Sequence, residues 1–186
     1  LRMATPPVPE LARLGITVPD EKAAPPGTTA GLVWKGRWSL PLYPDTWEGY
    51  AWAGEQFYSL CKQCDVADLL VLTGDSHSFW ANRLTAGDGQ SMGVALGTAG
   101  ISSPGDFIKQ GFNHLSAKKI DEALAQHAPD IRWTSNLYQG YVRLILTPSE
   151  GRADYVAMST VKSRQYSIDV VHSESINRNG PSLQFA

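Results

Sequence analysis

The sequence has no long apolar run, no surplus of basic residues and very little cysteine. Its 186 residues carry 16 Lys and Arg against 18 Asp and Glu, so the formal net charge is -2. This balance argues against nucleic acid, or an anionic membrane surface, as the main partner. No apolar run approaches the roughly 20 residues of a transmembrane helix. A hydrophobic content of 42% predicts one globular domain with a real core.

The two cysteines form a single C-x-x-C pair, Cys61 and Cys64. A tetrahedral zinc site needs two more soft ligands, and the sequence has no second pair. A redox pair usually opens a helix after a strand, whereas this pair lies near the end of a predicted helix. We therefore expect buried or half-buried thiols on a helix face, oxidised if the protein is exported.

The start of the chain lacks both an initiator Met and the apolar segment of a signal peptide. Residues 1–7 read LRMATPP, which resembles a strand already under way. We expect the chain to be the C-terminal portion of a longer protein, so the missing signal peptide does not indicate a location.

Residues 1–48 hold eight of the 12 prolines, which disfavours a long helix or strand there. The segment also contains Trp34, Trp38, Tyr43 and Trp47, too many aromatic residues for a disordered linker. Two interpretations are open. The segment is either a surface strap anchored by its aromatic residues or one wall of a substrate cleft.

A helix is predicted from Glu48 to Cys64, capped by Asp45 or Thr46. Its apolar face should carry Ala53, Phe57 and Leu60 with the two cysteines, which share helical spacing. A buried strand rich in aliphatic residues, Leu69–Thr73, should follow and occupy the centre of a sheet.

Asp75 and His77 come directly after that strand, beyond a turn at Gly74. If the segment is extended, residues two apart project from the same face. An oxygen ligand and a nitrogen ligand would then lie together at the carboxyl end of a strand and serve one metal or two. The alternative is an Asp that caps a turn beside a packed His, because two ligands are too few for a complete site.

The rest of the chain predicts strands joined by short turns. A hairpin turn at 86–90 should join a strand that begins at 82–85 to Met92–Leu96. The loop 97–105 is rich in Gly and Ser and offers Ser102 and Ser103 as candidates for supporting or substrate contacts. A helix is predicted from Ser116 to His127, with Ser116 as its cap and Ala117, Ile120 and Leu124 on its apolar face.

Three antiparallel strands are predicted at 131–136, 140–147 and 152–161. In the second, Tyr141, Arg143 and Ile145 share one face and Val142 and Leu144 the other, as in an inner layer of a sandwich. Residues 162–186 read as a polar tail. His114 and His127 are expected at the surface.

Residues 71–82, VLTGDSHSFWAN, resemble the last metal-binding motif of the PhoD-like phosphatases, also called the alkaline phosphatase D family. Metallophosphoesterases usually end with Gly-His-x-His, and in this branch the first His becomes Asp. The matching residues are Gly74, Asp75, His77, Ser78, Phe79 and Trp80. Further similar strings follow the family's order: DTWEGY at 45–50, ISSPG at 101–105, GYVR at 140–143 and RADY at 152–155.

The resemblance covers most of residues 40–160 and implies an α/β (α+β) fold, a four-layer αββα metallophosphoesterase-like sandwich. Residues 1–186 would supply roughly its C-terminal half, as a strap (1–48), a core of sheets and helices (49–161) and a polar tail (162–186). In such enzymes the C-terminal segment can lie across the entrance of the active site.

The resemblance also implies metal-dependent hydrolysis of phosphate monoesters or diesters. It assigns His77 to Fe(III) and Asp75 to Ca²⁺, and it places the other ligands in an upstream half of the enzyme, in the same or a separate chain. It further implies a periplasmic or secreted location. The alternative function is a non-catalytic binding or interaction domain that retains the fold.

Overall fold

The computed structural model describes residues 46–109 and 112–186, together with positions 13 and 15. Most of the strap at 1–48, including the proposed helix cap Asp45, lies outside these residues. Residues 46–109 and 112–186 contain three helices and eight strands in chain order. They are α1 (Ala51–Gln63), β1 (Leu69–Thr73), β2 (Phe79–Thr85), β3 (Ser91–Gly97), α2 (Asp106–Lys109), α3 (His114–His127), β4 (Ile131–Ser135), β5 (Gln139–Leu146), β6 (Glu150–Met158), β7 (Ile168–Asn179) and β8 (Ser182–Phe185).

The strands form two four-stranded sheets, which we call the first sheet and the second sheet. The first sheet has the order β1-β3-β2-β4, with β1 parallel to β3 and the other pairs antiparallel. The second sheet is an antiparallel meander in the order β5-β6-β7-β8. The hairpin predicted at 86–90 joins β2 to β3, closed by a hydrogen bond from the Ala86 amide to the Gln90 carbonyl at 2.9 Å.

The two sheets pack face to face around a shared core. Phe79, Val94 and Leu96 of the first sheet lie in one buried cluster with Tyr155 and Ile176 of the second. The other face of the first sheet is covered by helices, because apolar side chains of α1 and α3 pack on it. The described residues thus form three layers, helix, sheet and sheet, and the fourth layer of the proposed sandwich stays a prediction.

Helix α3 has the buried face that the sequence predicted, with Ala117, Ile120 and Leu124 fully enclosed. Its predicted start is wrong. The helix begins at His114, and the cap is Asn113, whose side chain accepts a hydrogen bond from the Ser116 amide at 2.8 Å. Asn caps a helix as well as Ser does, so the sequence contained two competing caps.

The predicted apolar face of α1 is wrong. The helix buries Gly54 and Tyr58, whereas Phe57 and Leu60 are exposed. Tyr58 is drawn inward because its ring packs with Leu84 and Met92 of the first sheet, and this burial raises its pKa to about 12. No side chain caps α1 at Tyr50. Thr46 instead caps the turn before the helix, where its Oγ1 accepts a hydrogen bond from the Glu48 amide at 3.4 Å. Within the predicted face, Cys61 is half-buried and Cys64 is exposed, and both thiols are free.

Strand β1 is neither fully buried nor central in the described part of the first sheet. It lies at one edge, and Leu72 is 64% exposed. Its residues Leu69–Val71 are only half-buried.

The strand predicted at 131–136 is β4 of the first sheet and pairs with β2 rather than with β5. The second sheet departs from the sequence prediction in two further ways. Residues 162–186 contain β7 and β8, joined by a turn at Gly180 with φ +62°, rather than only a polar tail. Strand β5 shows the predicted alternation, but Tyr141, Arg143 and Ile145 face outward among the described residues instead of into an inner layer. Within the same part of the chain, no helix is long and apolar enough to cross a membrane.

Candidate metal centre

The loop at residues 74–78 connects β1 to β2, and we call it the motif loop. The Ser76 amide donates a hydrogen bond to the Gly74 carbonyl at 2.9 Å, which folds three residues into a tight turn. Asp75 and His77 both have left-handed backbones, with φ +69° and +54°. The extended geometry expected from the sequence is therefore wrong. Such backbone strain persists only where surrounding structure maintains it, and it is frequent at functional sites.

The two candidate ligands differ in exposure. Asp75 is exposed to solvent, so its carboxylate is accessible, whereas His77 is half-buried. The Nδ1 atom of His77 is buried and has no hydrogen-bond partner. Leaving a buried polar nitrogen without a partner costs about 1–3 kcal/mol. A metal ion is one partner that would satisfy it, so both side chains fit a role as ligands.

Hydrogen bonds within the motif loop hold its middle in place. The indole Nε1 of Trp80 donates to Ser76 Oγ at 2.9 Å. Trp80 is buried with Phe107 and Ile120 under α2 and α3, so this bond ties the loop to the helical layer. Phe79 and Trp80 are both buried, follow the loop directly and begin β2.

The end of the motif loop is held from the protein interior. Ser78 Oγ donates to Asn136 Oδ1 at 2.6 Å. Asn136 in turn donates to both carboxylate oxygens of Asp121 on α3, through its backbone amide at 2.9 Å and its Nδ2 at 2.6 Å. Burial raises the pKa of Asp121 to about 7, although the two bonds from Asn136 act in the opposite direction.

Both sheets also hold the start of β2. Thr134 Oγ1 donates to the Phe79 carbonyl at 2.9 Å, and the Tyr155 hydroxyl donates to the Trp80 carbonyl at 2.8 Å. Burial raises the pKa of Tyr155 far above its usual range, so the phenol stays protonated and remains a donor.

A second loop, residues 98–105, lies beside the motif loop. The Thr98 amide donates to the Thr73 carbonyl at 3.0 Å, and the Thr98 methyl group would be 3.7 Å from a Cβ at Gly74. Further along this loop Ser102 is exposed and Ser103 is half-buried, and the Ser103 carbonyl accepts a bond from Gln139 Nε2 at 3.5 Å. The structure therefore brings this loop to the site through Thr98, and the roles of Ser102 and Ser103 stay predictions.

No cluster of three His, Cys, Asp or Glu side chains suited to a metal ion occurs among residues 46–109 and 112–186. His114 and His127 lie exposed on α3, as expected. His172 stacks on Trp133 with ring centroids 4.1 Å apart and bonds to Glu174 Oε1 at 2.8 Å. If Asp75 and His77 bind metal, they would be only part of the ligand set, and other residues would complete it.

Sequence reasoning missed most of the residues that hold the motif loop. Asp121, Thr134 and Asn136 lie 43 to 58 positions from Ser78 and Phe79, which they support. Only Trp80 and Tyr155 occurred in strings noted for their resemblance to the family. A polar residue inside an apolar helix face, such as Asp121 between Ala117 and Leu124, was the one available signal.

Comparison with known proteins decides the family. The model of the PhoD-like phosphatases matches residues 14–155. The chain belongs to the PhoD-like phosphatase family. A curated relative, alkaline phosphatase D of Bacillus subtilis (strain 168), is 29% identical over 127 residues, which are 68% of this chain and 21% of the relative.

A solved structure described as "Structure of PhoD" shares the fold. The match has a TM-score of 0.57 at 23% identity and covers 76% of this chain and 26% of that one. The PhoD-like chain described here therefore spans about a fifth of the curated relative and about a quarter of the solved protein.

Proposed function

We propose that this PhoD-like chain supplies part of the metal centre of a phosphoester hydrolase acting on phosphate monoesters or diesters. The observation that carries the proposal is the buried, unpartnered Nδ1 of His77, in a strained loop that also presents Asp75. Family membership supports a phosphatase reaction in general. The further ligands would come from residues beyond those described, in the same or a separate chain.

His77 and Asp75 would hold different ions. Imidazole nitrogen suits iron, and we assign His77 to Fe(III). A carboxylate suits a hard cation, and we assign Asp75 to Ca²⁺. The chemistry that such ions supply is activation of the phosphoryl group and of the attacking water.

The chain's own residues would prepare the site for an anionic substrate. Without a cation the exposed Asp75 carboxylate would repel a phosphate group, so we expect substrate binding to require the ion that Asp75 holds. Ser102 and Ser103 would donate hydrogen bonds to phosphate oxygens from the neighbouring loop. By family resemblance we also propose a periplasmic or secreted location.

Restoring the common Gly-His-x-His form tests the proposal. The complete gene product is stripped of metal, and hydrolysis of a chromogenic phosphate diester and monoester is measured with each ion added back. We expect Asp75→His to lose the calcium requirement and to gain activity with zinc or manganese, because an imidazole nitrogen binds transition metals in preference to calcium.

Asp65→His is the matched control, because Asp65 is also exposed and left-handed, with φ +56°, but lies outside the motif loop. It should retain the parental ion requirement. An unchanged calcium requirement in Asp75→His would refute the assignment of Asp75. Binding of phosphate esters without turnover under any ion would instead support a non-catalytic binding domain.

A further inference from the structure

A buried polar chain of three side chains leads from the motif loop to helix α3. Ser78 and Asn136 are completely buried, and Asp121 is 5% exposed. Their contacts are short, at 2.6 Å from Ser78 to Asn136 and at 2.6 and 2.9 Å from Asn136 to Asp121. This polar chain of side chains joins elements that are far apart in sequence, and its last member, Ser78, follows His77 directly.

The donors and acceptors in this polar chain fix the direction in which each hydrogen bond is donated. Above its pKa of about 7, Asp121 is an ionised carboxylate, which only accepts hydrogen bonds. It then requires both the backbone amide and the Nδ2 group of Asn136 to point toward it. The Asn136 side chain is then left with Oδ1 facing Ser78. Ser78 must therefore donate its only hydroxyl proton to Asn136, which fixes the rotamer of Ser78.

The backbone of Asn136 is also closely confined. A Cβ at Gly105 would lie 2.2 Å from the Asn136 carbonyl oxygen, so position 105, just before α2, accepts only glycine. With its backbone and its amide both restrained, Asn136 gives Ser78 a rigid partner.

Packing alone does not require a carboxylate at position 121. Ala117, Ile120 and Leu124 surround it on the buried face of α3, and an apolar or amide side chain of similar size would avoid the cost of burying a charge. What the carboxylate adds is the fixed polarity of the bonds that reach Ser78.

We propose that Asp121 and Asn136 are positioning residues that set the orientation of Ser78 and, through it, the geometry of the motif loop at His77. The inference rests on the proposed function in one respect, since it affects turnover only if the loop holds metal. The ordering of the loop itself does not depend on any activity.

Substitutions that exchange the acid at position 121 and the amide at position 136 test the direction of these hydrogen bonds. In Asp121→Asn, the new Nδ2 needs an acceptor, so the Asn136 amide turns over and presents its own Nδ2 to Ser78. Ser78 must then accept instead of donate. In the double variant Asp121→Asn/Asn136→Asp, residue 121 donates to one oxygen of residue 136, and the other oxygen again accepts from Ser78. The double variant thus restores the bond donated by Ser78, although the carboxylate is now at position 136 instead of 121.

In the complete gene product, we expect Asp121→Asn to lower kcat by about 10-fold or more with little change in KM, the size of effect seen when groups that orient metal ligands are removed. The double variant should regain most of the lost kcat. Asn136→Asp alone places two carboxylates together and should be the least stable of the set. A merely structural role would predict no rescue, because the double variant changes the interior more than either single one.

Amide hydrogen exchange of residues 74–80 supplies a readout independent of activity. We expect faster exchange in Asp121→Asn and restored protection in the double variant. Unchanged kcat and unchanged exchange in a folded Asp121→Asn protein, or no recovery in a folded double variant, would overturn the inference. If the parent protein hydrolyses no phosphate ester, the proposed function fails, and the exchange data alone decide whether the polar chain orders the loop.

Discussion

At the scale of single residues, the backbone conformation of Asp75 in the motif loop is expected to lower stability. A left-handed backbone costs a residue other than glycine about 1–2 kcal/mol. Asp75 bears this cost at φ +69° while it exposes its carboxylate. Glycine would adopt the same conformation freely.

We therefore expect Asp75→Gly to raise the free energy of unfolding by about 1 kcal/mol, through relief of backbone strain, while it abolishes metal-dependent hydrolysis. Thermal melting and the phosphate ester assay measure the two effects. Asp65→Gly, at the other exposed left-handed Asp, should gain similar stability and keep full activity. A loss of stability in Asp75→Gly would show that the backbone at this position is not strained.

Asp121 should make stability depend on pH. Its pKa is raised from 3.8 to about 7 by burial, so between these values the folded protein retains a proton that the unfolded chain has released. Stability should therefore fall as pH rises from about 4 to 7, by at most about 1.4 kcal/mol per pH unit, and should be independent of this group outside the window. Other charged groups near Asp121 are Glu122, which raises its pKa further, and Lys118, which pairs with Glu122 at 4.0 Å.

Urea unfolding of Asp121→Asn and the parent across pH 4–8 measures this effect. The variant should lose the downward slope. As a control, Asp88→Asn removes an exposed carboxylate whose pKa is lowered by its hydrogen bond with Lys62. Its contribution to stability is present at neutral pH and is lost only toward acid, so the slope between pH 4 and 7 should survive. Parallel curves for Asp121→Asn and the parent would contradict the assignment.

At the scale of elements, strand β5 depends on a close approach that only glycine permits. A Cβ at Gly140 would lie 1.9 Å from the Val156 carbonyl oxygen of β6, and the Gly140 amide donates to the Gly100 carbonyl at 3.2 Å. Gly140→Ala should separate the two strands and weaken the loop at 98–105, with a loss of more than about 3 kcal/mol of stability.

Thermal denaturation of Gly140→Ala, compared with Gly87→Ala, checks this expectation. At Gly87 the nearest atoms belong to the end of the Glu55 side chain, at 3.1 Å, which can move aside. Gly87→Ala should therefore melt close to the parent. Equal melting temperatures for both variants would show that the β5–β6 contact tolerates a methyl group.

The sequence predicted elements well where their periodicity was clear. The face of α3 followed from Ala117, Ile120 and Leu124 at helical spacing. The face of α1 did not, because Phe57, Tyr58 and Leu60 offered competing apolar positions and only contact with the first sheet selected Tyr58. Strand β7 was missed since Glu174 and Ile176 are its only fully buried residues, so its pattern reads as polar.

The residues of the candidate site could be predicted from the sequence, but the backbone conformation of the motif loop could not. The string at 71–82 identified Asp75 and His77 through family resemblance. Their left-handed backbones occur in a loop held by a tight turn at 74–76, by the bond that Trp80 donates to Ser76, and by the bond that Ser78 donates to Asn136. The last of these joins residues that are 58 positions apart. Local pattern favoured an extended segment because a strand precedes it.

At the scale of the whole molecule, the described part of the chain leaves apolar surface open. Strand β1 lies at a sheet edge with Leu72 64% exposed, and the outer face of the second sheet exposes Tyr141, Ile145, Ile168 and Val170. An open edge with exposed apolar side chains favours association with another chain, and a net charge of only -2 opposes it weakly.

We therefore expect residues 1–186, expressed alone, to self-associate as concentration rises, and Leu72→Lys to reduce this association. Sedimentation velocity over a range of concentrations measures both. Ile101→Lys adds the same charge at a residue that is 74% exposed but lies in a loop, and it should have less effect. A parent chain that stays monomeric throughout would contradict the expectation.

Metal analysis of the complete gene product tests the central proposal most directly. The parent, His77→Ala and His114→Ala are purified alongside one another, and iron per chain is measured by mass spectrometry with folding checked by circular dichroism. His114 is the control because it is exposed and belongs to α3 rather than to the motif loop. We expect the parent and His114→Ala to carry iron and a folded His77→Ala to have lost it. Iron content in His77→Ala equal to that of the parent would show that His77 is not a ligand.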